Sequence, residues 1–183
     1  MSRILILHAS IDGQTAKIAR RIATVLAEGG HAVTLRAIEA IEALWEIDRH
    51  DAVMVGGSIR YGHYSRSLED FVRAHLARIE ARPNAFFSVC LSAGGPGAKP
   101  AVAEEYVAQF RARTGWHPEA TASFAGALLY RKYRPFIRFM MRLIVGVAGG
   151  DRDTSRDYEY TDWKAVDRFA GELASRLAVA KAA

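Results

Sequence analysis

The sequence predicts an α/β fold with a five-stranded parallel sheet and helices on both of its faces. Short apolar segments without alternation recur along the chain, as is typical of strands buried on both faces. Segments with helical spacing follow them at steps of roughly 25–35 residues, which indicates βαβ units. The chain has 183 residues, half of them hydrophobic. That size suits a single domain over residues 1–183, built around one core.

The order of the elements follows from these patterns. Strands are predicted at 3–8, 31–37, 51–57, 85–91 and 121–129. Helices are predicted at 15–28, 66–80, 101–113 and 162–179, with a short helical stretch at 40–45. Residues 130–160 lie between the last strand and the last helix, and we call this segment the insertion. It is basic and rich in apolar residues.

Composition excludes several kinds of protein. Cys90 is the only cysteine, so no intrachain disulfide and no cysteine-rich metal site can form. This cysteine usage suggests a reducing compartment such as the cytoplasm, and no metal is expected. No run of 18 apolar residues occurs, so no ordinary membrane-spanning helix is predicted. The apolar run after Met1 is short, and we interpret it as the first strand rather than a signal peptide.

The positive charge is concentrated in the insertion. Net charge is +5, and residues 120–150 hold five basic residues but no Asp or Glu. These are Arg131, Lys132, Arg134, Arg138 and Arg142. Without them, basic and acidic residues would be equal in number. A local basic block beside apolar residues favours an anionic surface or substrate over a nucleic acid.

The loop after the first strand is a candidate phosphate site. It consists of Ser10, Ile11, Asp12, Gly13, Gln14 and Thr15. Backbone N–H groups at a helix start, together with the helix dipole, attract anions. The loop has no lysine and matches neither the GxxxxGK[ST] nor the GxGxxG pattern, which argues against a nucleoside triphosphate or a dinucleotide. A monophosphate held by amides and hydroxyls is one interpretation, and a plain capped turn is the other.

Two further loops follow the third and fourth strands. The second loop runs over 56–64 and includes Ser58, Arg60, Tyr61, Gly62 and His63, whose aromatic and basic groups suit a flat ring system. The third loop includes Leu91, Ser92, Ala93, Gly94 and Gly95, whose glycines permit close approach of a ligand. Ordinary surface loops would explain either pattern on its own.

Taken together, these residues resemble the bacterial flavodoxin-like protoporphyrinogen oxidases, the quinone-dependent class of haem synthesis. The resemblance runs from about residue 3 to about residue 176. Its most specific parts are 12–15, 58–64, 138–140, 149–150 and 160–163. The third loop departs from the family pattern, because it is small and glycine-rich where a more basic stretch is expected.

The resemblance implies a flavodoxin-like fold, FMN as cofactor, and electron transfer from protoporphyrinogen IX to a membrane quinone, menaquinone or ubiquinone. It implies that 10–15 hold the FMN phosphate and that 58–63 and 91–95 flank the isoalloxazine ring. The flavin carries the chemistry, so no catalytic side chain is assigned with certainty. His63 is a candidate general base, because imidazole exchanges protons near neutral pH. A hydrogen-bonding loop histidine is the alternative.

The insertion adds a hypothesis about location. A helix over 136–148 would be about 20 Å long, too short for a bilayer core of about 30 Å. It can lie in the membrane interface, with the basic residues meeting an anionic surface. This predicts a peripheral protein on the cytoplasmic face of the inner membrane. The same arginines can instead meet substrate propionates, or the helix can pack within the domain or in a homo-oligomer.

Three other functions stay open at this stage. A flavodoxin-type electron carrier would pass single electrons to protein partners, although such carriers are commonly acidic. An NAD(P)H-quinone reductase would use the same fold with a soluble reductant. A signalling domain of this architecture would bind no cofactor at all.

Overall fold

The computed structural model describes residues 1–40, 45–147 and 149–182, and for Trp45 and residues 178–182 it describes the backbone alone. Five parallel strands form the sheet: β1 (Arg3–Ala9), β2 (Ala32–Ala37), β3 (Ala52–Ser58), β4 (Asn84–Cys90) and β5 (Ala120–Ala125). Their order is β2-β1-β3-β4-β5. The helices are α1 (Gln14–Glu28), α2 (Trp45–Asp48), α3 (Arg66–Glu80), α4 (Pro100–Thr114), α5 (Pro135–Val147) and α6 (Trp163–Ala182). The predicted fold class is confirmed.

Alternation along the central strand creates two hydrophobic cores. In β1, Ile4 and Ile6 pack into the core that contains α1 and α6. Leu5 and Leu7 pack into the core that contains α3 and α4. All four side chains are fully buried, because successive side chains of a strand point to opposite faces of the sheet. Each face therefore carries two of the long helices.

The strand order decides where a ligand can bind. The chain runs outward from β1 to β2, then crosses back past β1 to β3. The connections after β1 and β3 consequently leave toward opposite faces of the sheet and open a crevice between them. Ligands of open parallel sheets bind at such a point, beyond the carboxyl ends of the strands. The first and second loops both lie there.

One predicted strand is divided in the structure, and one predicted helix falls largely outside the described residues. The strand expected at 121–129 is divided in the structure: β5 ends at Ala125, the chain turns away at Gly126, and Ala127–Leu128 form a separate short strand outside the main sheet. The Gly126 N–H still reaches the Cys90 carbonyl at 3.3 Å, but its own carbonyl accepts from the Tyr160 N–H at 3.1 Å. The short helix expected at 40–45 falls largely on 41–44, outside the described residues. Its described neighbours are a 3₁₀ turn at Ile38–Ala40 and α2.

The insertion forms a small subassembly at the carboxyl edge of the sheet. Strand β6 (Ala127–Leu128) pairs antiparallel with β7 (Tyr158–Glu159), and α5 lies between them in the chain. Tyr130 is fully buried beside Leu128 and Val145, and its hydroxyl donates to the Asp151 carbonyl at 2.7 Å. The helix predicted at 136–148 is observed as α5 up to Val147, and Ala148 lies outside the described residues. Within the described ranges, no helix combines the length and apolar character needed to cross a membrane.

The pairing of β3 with β4 leaves no room for a side chain at position 56. Gly56 pairs with Phe87, and a Cβ on Gly56 would lie 1.9 Å from the Phe87 ring, which is fully buried. We expect Gly56→Ala to destabilise the fold by about 1–3 kcal/mol, because the buried ring must move. Urea unfolding followed by circular dichroism measures the change.

Gly171 in α6 provides the matched control. A Cβ there meets nothing within 4 Å. Gly171→Ala should therefore stabilise the protein by about 0.5–1 kcal/mol, since alanine is the better helix former. Equal stability of Gly56→Ala and the unaltered protein would contradict the close packing of Gly56 against the Phe87 ring.

Candidate flavin site

A cleft of about 260 Å³ opens at the carboxyl edge of the sheet, where the three loops meet α5. Ten of the residues predicted for a cofactor line this cleft: Ile11, Asp12, Gln14, Thr15, Ser58, Arg60, Tyr61, Gly62, Leu91 and Ser92. Ser10, Gly13, His63, Ala93, Gly94 and Gly95 belong to the same loops but lie outside its lining. The first and second loops therefore converge as the sequence predicted.

The first loop presents backbone donors at the start of α1. Gly13 takes the N-cap position with φ of 96°, a left-handed conformation that glycine adopts without steric cost. It offers no capping side chain, so the N–H groups of Gln14 and Thr15 have no intrahelical acceptor. The Ser10 hydroxyl accepts the next N–H, that of Ala16, at 3.3 Å. This leaves a set of amide donors facing an anion site.

Gln14 is buried and holds the loop against the rest of the domain. Its side-chain amide donates to the Thr161 hydroxyl at 2.8 Å. That hydroxyl donates to the carbonyl of Ala125, the last residue of β5, also at 2.8 Å. The first loop is thus tied both to the end of the sheet and to the segment that enters α6.

The second loop is a tight turn with a strained aromatic residue at its tip. Arg60 and His63 exchange backbone hydrogen bonds of 2.9 and 3.1 Å. Tyr61 and Gly62 between them have φ of 53° and 84°, the backbone of a type I′ turn. A tyrosine at positive φ costs stability, yet its ring is 60% exposed and borders the cleft. The turn therefore presents an aromatic surface to the cleft.

Arg60 links the first two loops across the cleft. Its guanidinium lies 3.9 Å from the Asp12 carboxylate and 5.4 Å from the Tyr61 ring centre. His63 contributes its backbone to the turn, while its exposed side chain lies outside the cleft lining.

Only part of the third loop lines the cleft, and its glycines pack against other parts of the protein. Leu91 and Ser92 line the cleft, whereas a Cβ on Gly94 would lie 3.0 Å from the Ala125 Cβ. Gly95 has φ of 89° and packs against the Tyr160 ring, which a Cβ would approach to 2.7 Å. The close approach that these glycines permit is therefore made to the protein's own side chains.

Sequence reasoning missed one whole wall of the cleft. Apart from Ile59 of the second loop, the additional lining residues come from β4, α4, the turn after β5 and the insertion: Val89, Cys90, Tyr106, Gly126, Ala127, Tyr133, Ile137, Met141 and Ile144. Ile137, Met141 and Ile144 share one face of α5 at helical spacing. The helical spacing of these three residues is visible in the sequence. However, α5 is apolar on several faces, and the sequence does not indicate which face lines the cleft.

The five basic residues between positions 131 and 142 do not form one surface. The Arg131 guanidinium pairs with Asp157 at 3.2 Å. The Arg138 Nε donates to the Tyr130 carbonyl at 2.8 Å, so this side chain folds back onto the insertion. The Lys132 ammonium lies at the first loop, 3.4 Å from the Asp12 carbonyl. Arg134 and Arg142 remain exposed.

Two weakly acidic groups that line the cleft are harder to ionise than the same groups in water. Burial raises the pKa of the Cys90 thiol and, with the nearby Asp12 carboxylate, the pKa of the Tyr133 hydroxyl. Thiolate chemistry at Cys90 is therefore disfavoured. Among the described residues, no group of three or more His, Cys, Asp or Glu side chains is arranged to hold a metal ion.

Comparison with known proteins places this geometry in a family. A model of the flavodoxin domain matches residues 5–155. The protoporphyrinogen IX dehydrogenase [quinone] of Escherichia coli K12 is 40% identical over 173 residues, which cover 94% of each chain. The chain belongs to the flavodoxin-like protoporphyrinogen IX dehydrogenase family.

Solved structures support the fold independently. The oxidised flavodoxin 2 of Bacillus cereus superposes with a TM-score of 0.57 at 20% identity, covering 95% of this chain and 99% of the flavodoxin. The rubredoxin oxygen:oxidoreductase of Desulfovibrio gigas gives a TM-score of 0.61 at 15% identity over 99% of this chain. This chain spans only 37% of that larger protein.

The cofactor of this family member is FMN, and the cleft suits it. The amides at the start of α1 provide donors for a phosphate. Tyr61 provides an aromatic surface. The apolar side chains of Ile137, Met141 and Ile144 provide a wall for a flat ring system. The absence of a lysine within the loop itself agrees with a monophosphate rather than a triphosphate.

The state of Cys90 leads to a pH prediction. Because its pKa is raised above the ordinary value of 9.0, the thiolate fraction at neutral pH is lower than that of a free thiol. We expect the rate of iodoacetamide alkylation to rise with pH through a midpoint above 9.0. Mass spectrometry follows the reaction at this single cysteine, with glutathione as the reference thiol. A midpoint below that of glutathione would show that Cys90 is an activated thiol.

Proposed function

We propose that this protein oxidises protoporphyrinogen IX to protoporphyrin IX in haem biosynthesis and passes the electrons to a membrane quinone. The supporting observation is the construction of α5, which lines the flavin cleft with one face and exposes an apolar stripe on the adjacent face. The Escherichia coli relative named above, at 40% identity over nearly the whole chain, supports the same reaction.

FMN held in the cleft would supply two-electron redox chemistry, and three such oxidations convert one porphyrinogen to the porphyrin. The protein contributes position and environment. Amides of the first loop would hold the phosphate, and the exposed Tyr61 ring would provide a surface for the flavin ring system.

Arg60 is the residue we assign to substrate binding. Among the described residues that line the cleft, it is the sole cation. Its ion pair with Asp12 is long, at 3.9 Å, so the guanidinium retains donors for another carboxylate. Protoporphyrinogen carries two propionates, and a guanidinium binds carboxylate with good geometry. Arg60 therefore orients the macrocycle over the flavin.

Helix α5 supplies the route for the quinone. Phe136, Phe139, Leu143 and Val147 recur at helical spacing, and their exposed fractions reach 70% at Phe136 and 93% at Val147. At about 100° per residue, this stripe adjoins the face that carries Ile137, Met141 and Ile144. A contiguous apolar stripe of this kind marks an interaction surface. A lipid-soluble quinone can thus pass from the stripe to the cleft without crossing polar surface.

We propose an anionic membrane as the partner of this stripe. Arg134 and Arg142 are exposed beside it, and each basic residue near an anionic leaflet contributes about 1 kcal/mol. The 13-residue helix is suited to lie in the interface plane rather than to span the bilayer. The protein would then be peripheral, on the cytoplasmic face of the inner membrane.

The activity is tested anaerobically, with FMN-loaded protein, protoporphyrinogen IX and a short-chain ubiquinone. We expect porphyrin fluorescence to appear only when the quinone is present.

Arg60→Gln should raise KM for the porphyrinogen about tenfold with kcat largely retained, because a charged hydrogen bond to the substrate is lost. Arg66→Gln, which removes an exposed charge on α3, serves as the control.

Two results would contradict this function. Rapid bleaching of the bound flavin by NADH or NADPH, without porphyrinogen oxidation, would indicate a nicotinamide-dependent reductase. One-electron exchange with protein partners, without porphyrin formation, would indicate an electron carrier. An unchanged KM in Arg60→Gln would remove Arg60 from substrate binding.

Membrane docking is tested by altering the stripe alone. Phe136→Ser together with Phe139→Ser should reduce binding to vesicles containing phosphatidylglycerol about tenfold or more, because two exposed aromatic side chains that would enter the membrane interface are lost. Sedimentation with the vesicles measures the bound fraction. Both side chains are exposed, so the melting temperature should not fall.

Two matched double variants test the electrostatic contribution to vesicle binding. Arg134→Gln with Arg142→Gln should weaken vesicle binding, whereas Arg66→Gln with Arg73→Gln removes equal charge from α3 and should have little effect. Unchanged vesicle binding by both the serine and the Arg134/Arg142 variants would rule out this surface as the membrane contact.

A further inference from the structure

The insertion reaches back to the phosphate loop through one side chain. The Lys132 ammonium donates to the Asp12 carbonyl at 3.4 Å. It also lies 3.9 Å from the position that a Cβ on Gly13 would take. Asp12 and Gly13 directly precede the amide donors at the start of α1. A positive charge from a distant part of the chain therefore lies at a loop that itself contains no lysine.

Lys132 is available to bind an anion, unlike the other cations near the loop. The Lys17 ammonium is held by Glu159 at 2.6 Å and lies over the Trp163 ring. The Arg60 guanidinium faces the Asp12 carboxylate. Among the described residues, Lys132 has no carboxylate within 4.0 Å, although its charge is among those that lower the pKa of Asp157. Its contact with the Asp12 carbonyl is long for a hydrogen bond.

We propose that Lys132 binds the phosphate of FMN, closing from the insertion over the amide donors of the first loop. The ammonium adds a charge-assisted contact to those amides. Gly13 leaves room for this contact, because it carries no side chain toward Lys132. The inference rests on FMN as the cofactor and is independent of the substrate.

A comparison of two flavins isolates the phosphate contact. We expect Lys132→Gln to raise the Kd of FMN about fivefold, as for a partly exposed charged hydrogen bond. The Kd of riboflavin, which has the same ring and no phosphate, should stay unchanged. Quenching of flavin fluorescence by the apoprotein measures both constants. Lys132→Arg, which keeps the charge, should bind FMN nearly as tightly as the unaltered protein.

Arg134→Gln is the matched control, because Arg134 is an exposed cation two positions further along the same segment. It should leave the Kd of FMN unchanged. Raising the salt concentration should weaken FMN binding in the unaltered protein more than in Lys132→Gln, because the contact is ionic. An unchanged Kd of FMN in Lys132→Gln, or equal weakening of FMN and riboflavin, would overturn the assignment. No porphyrinogen or quinone is added, so these outcomes are separate from those of the proposed reaction.

Discussion

Hydrogen bonds at the two ends of the insertion hold the first loop, the sheet and the insertion together. Thr161 donates to the Ala125 carbonyl and accepts from the buried Gln14 side chain. One residue earlier, the Tyr160 N–H donates to the Gly126 carbonyl. The insertion therefore leaves and re-enters the domain at the same place, beside the start of α1. These three bonds, of 2.8, 2.8 and 3.1 Å, join the first loop to the end of β5 and to the segment that enters α6.

This arrangement explains why the cleft has one polar and one apolar end. The polar end consists of the amides at the start of α1, with the Arg60 and Asp12 pair beside them. The apolar end is built by α5, whose inward residues Ile137 and Met141 close the space over the sheet. A cofactor with a charged tail and a flat ring matches that division. A lipid-soluble electron acceptor matches the apolar end alone.

The charge of the insertion has several roles rather than one. Arg131 and Arg138 stabilise the insertion itself, through Asp157 and the Tyr130 carbonyl. Lys132 extends to the first loop, and Arg134 and Arg142 remain exposed. The backbone N–H and the guanidinium of Arg131 both lower the pKa of Asp157, so that pair is charged at neutral pH. A count of charges along the chain cannot separate these roles, because each depends on the acceptor that the fold brings near.

The sequence by itself determined the main strands and the long helices, and it pointed to two loops that line the cleft, because those features depend on local periodicity and on residues adjacent in the chain. It also located the insertion and its basic character. Only the tertiary structure decided that the strand ends at Ala125, since Gly126 pairs with Tyr160 across 34 residues. Only the tertiary structure decided which face of α5 meets the cleft and which cation reaches the phosphate loop. Lys132 lies 120 positions from Asp12, and no local pattern encodes a contact between residues so far apart in the chain.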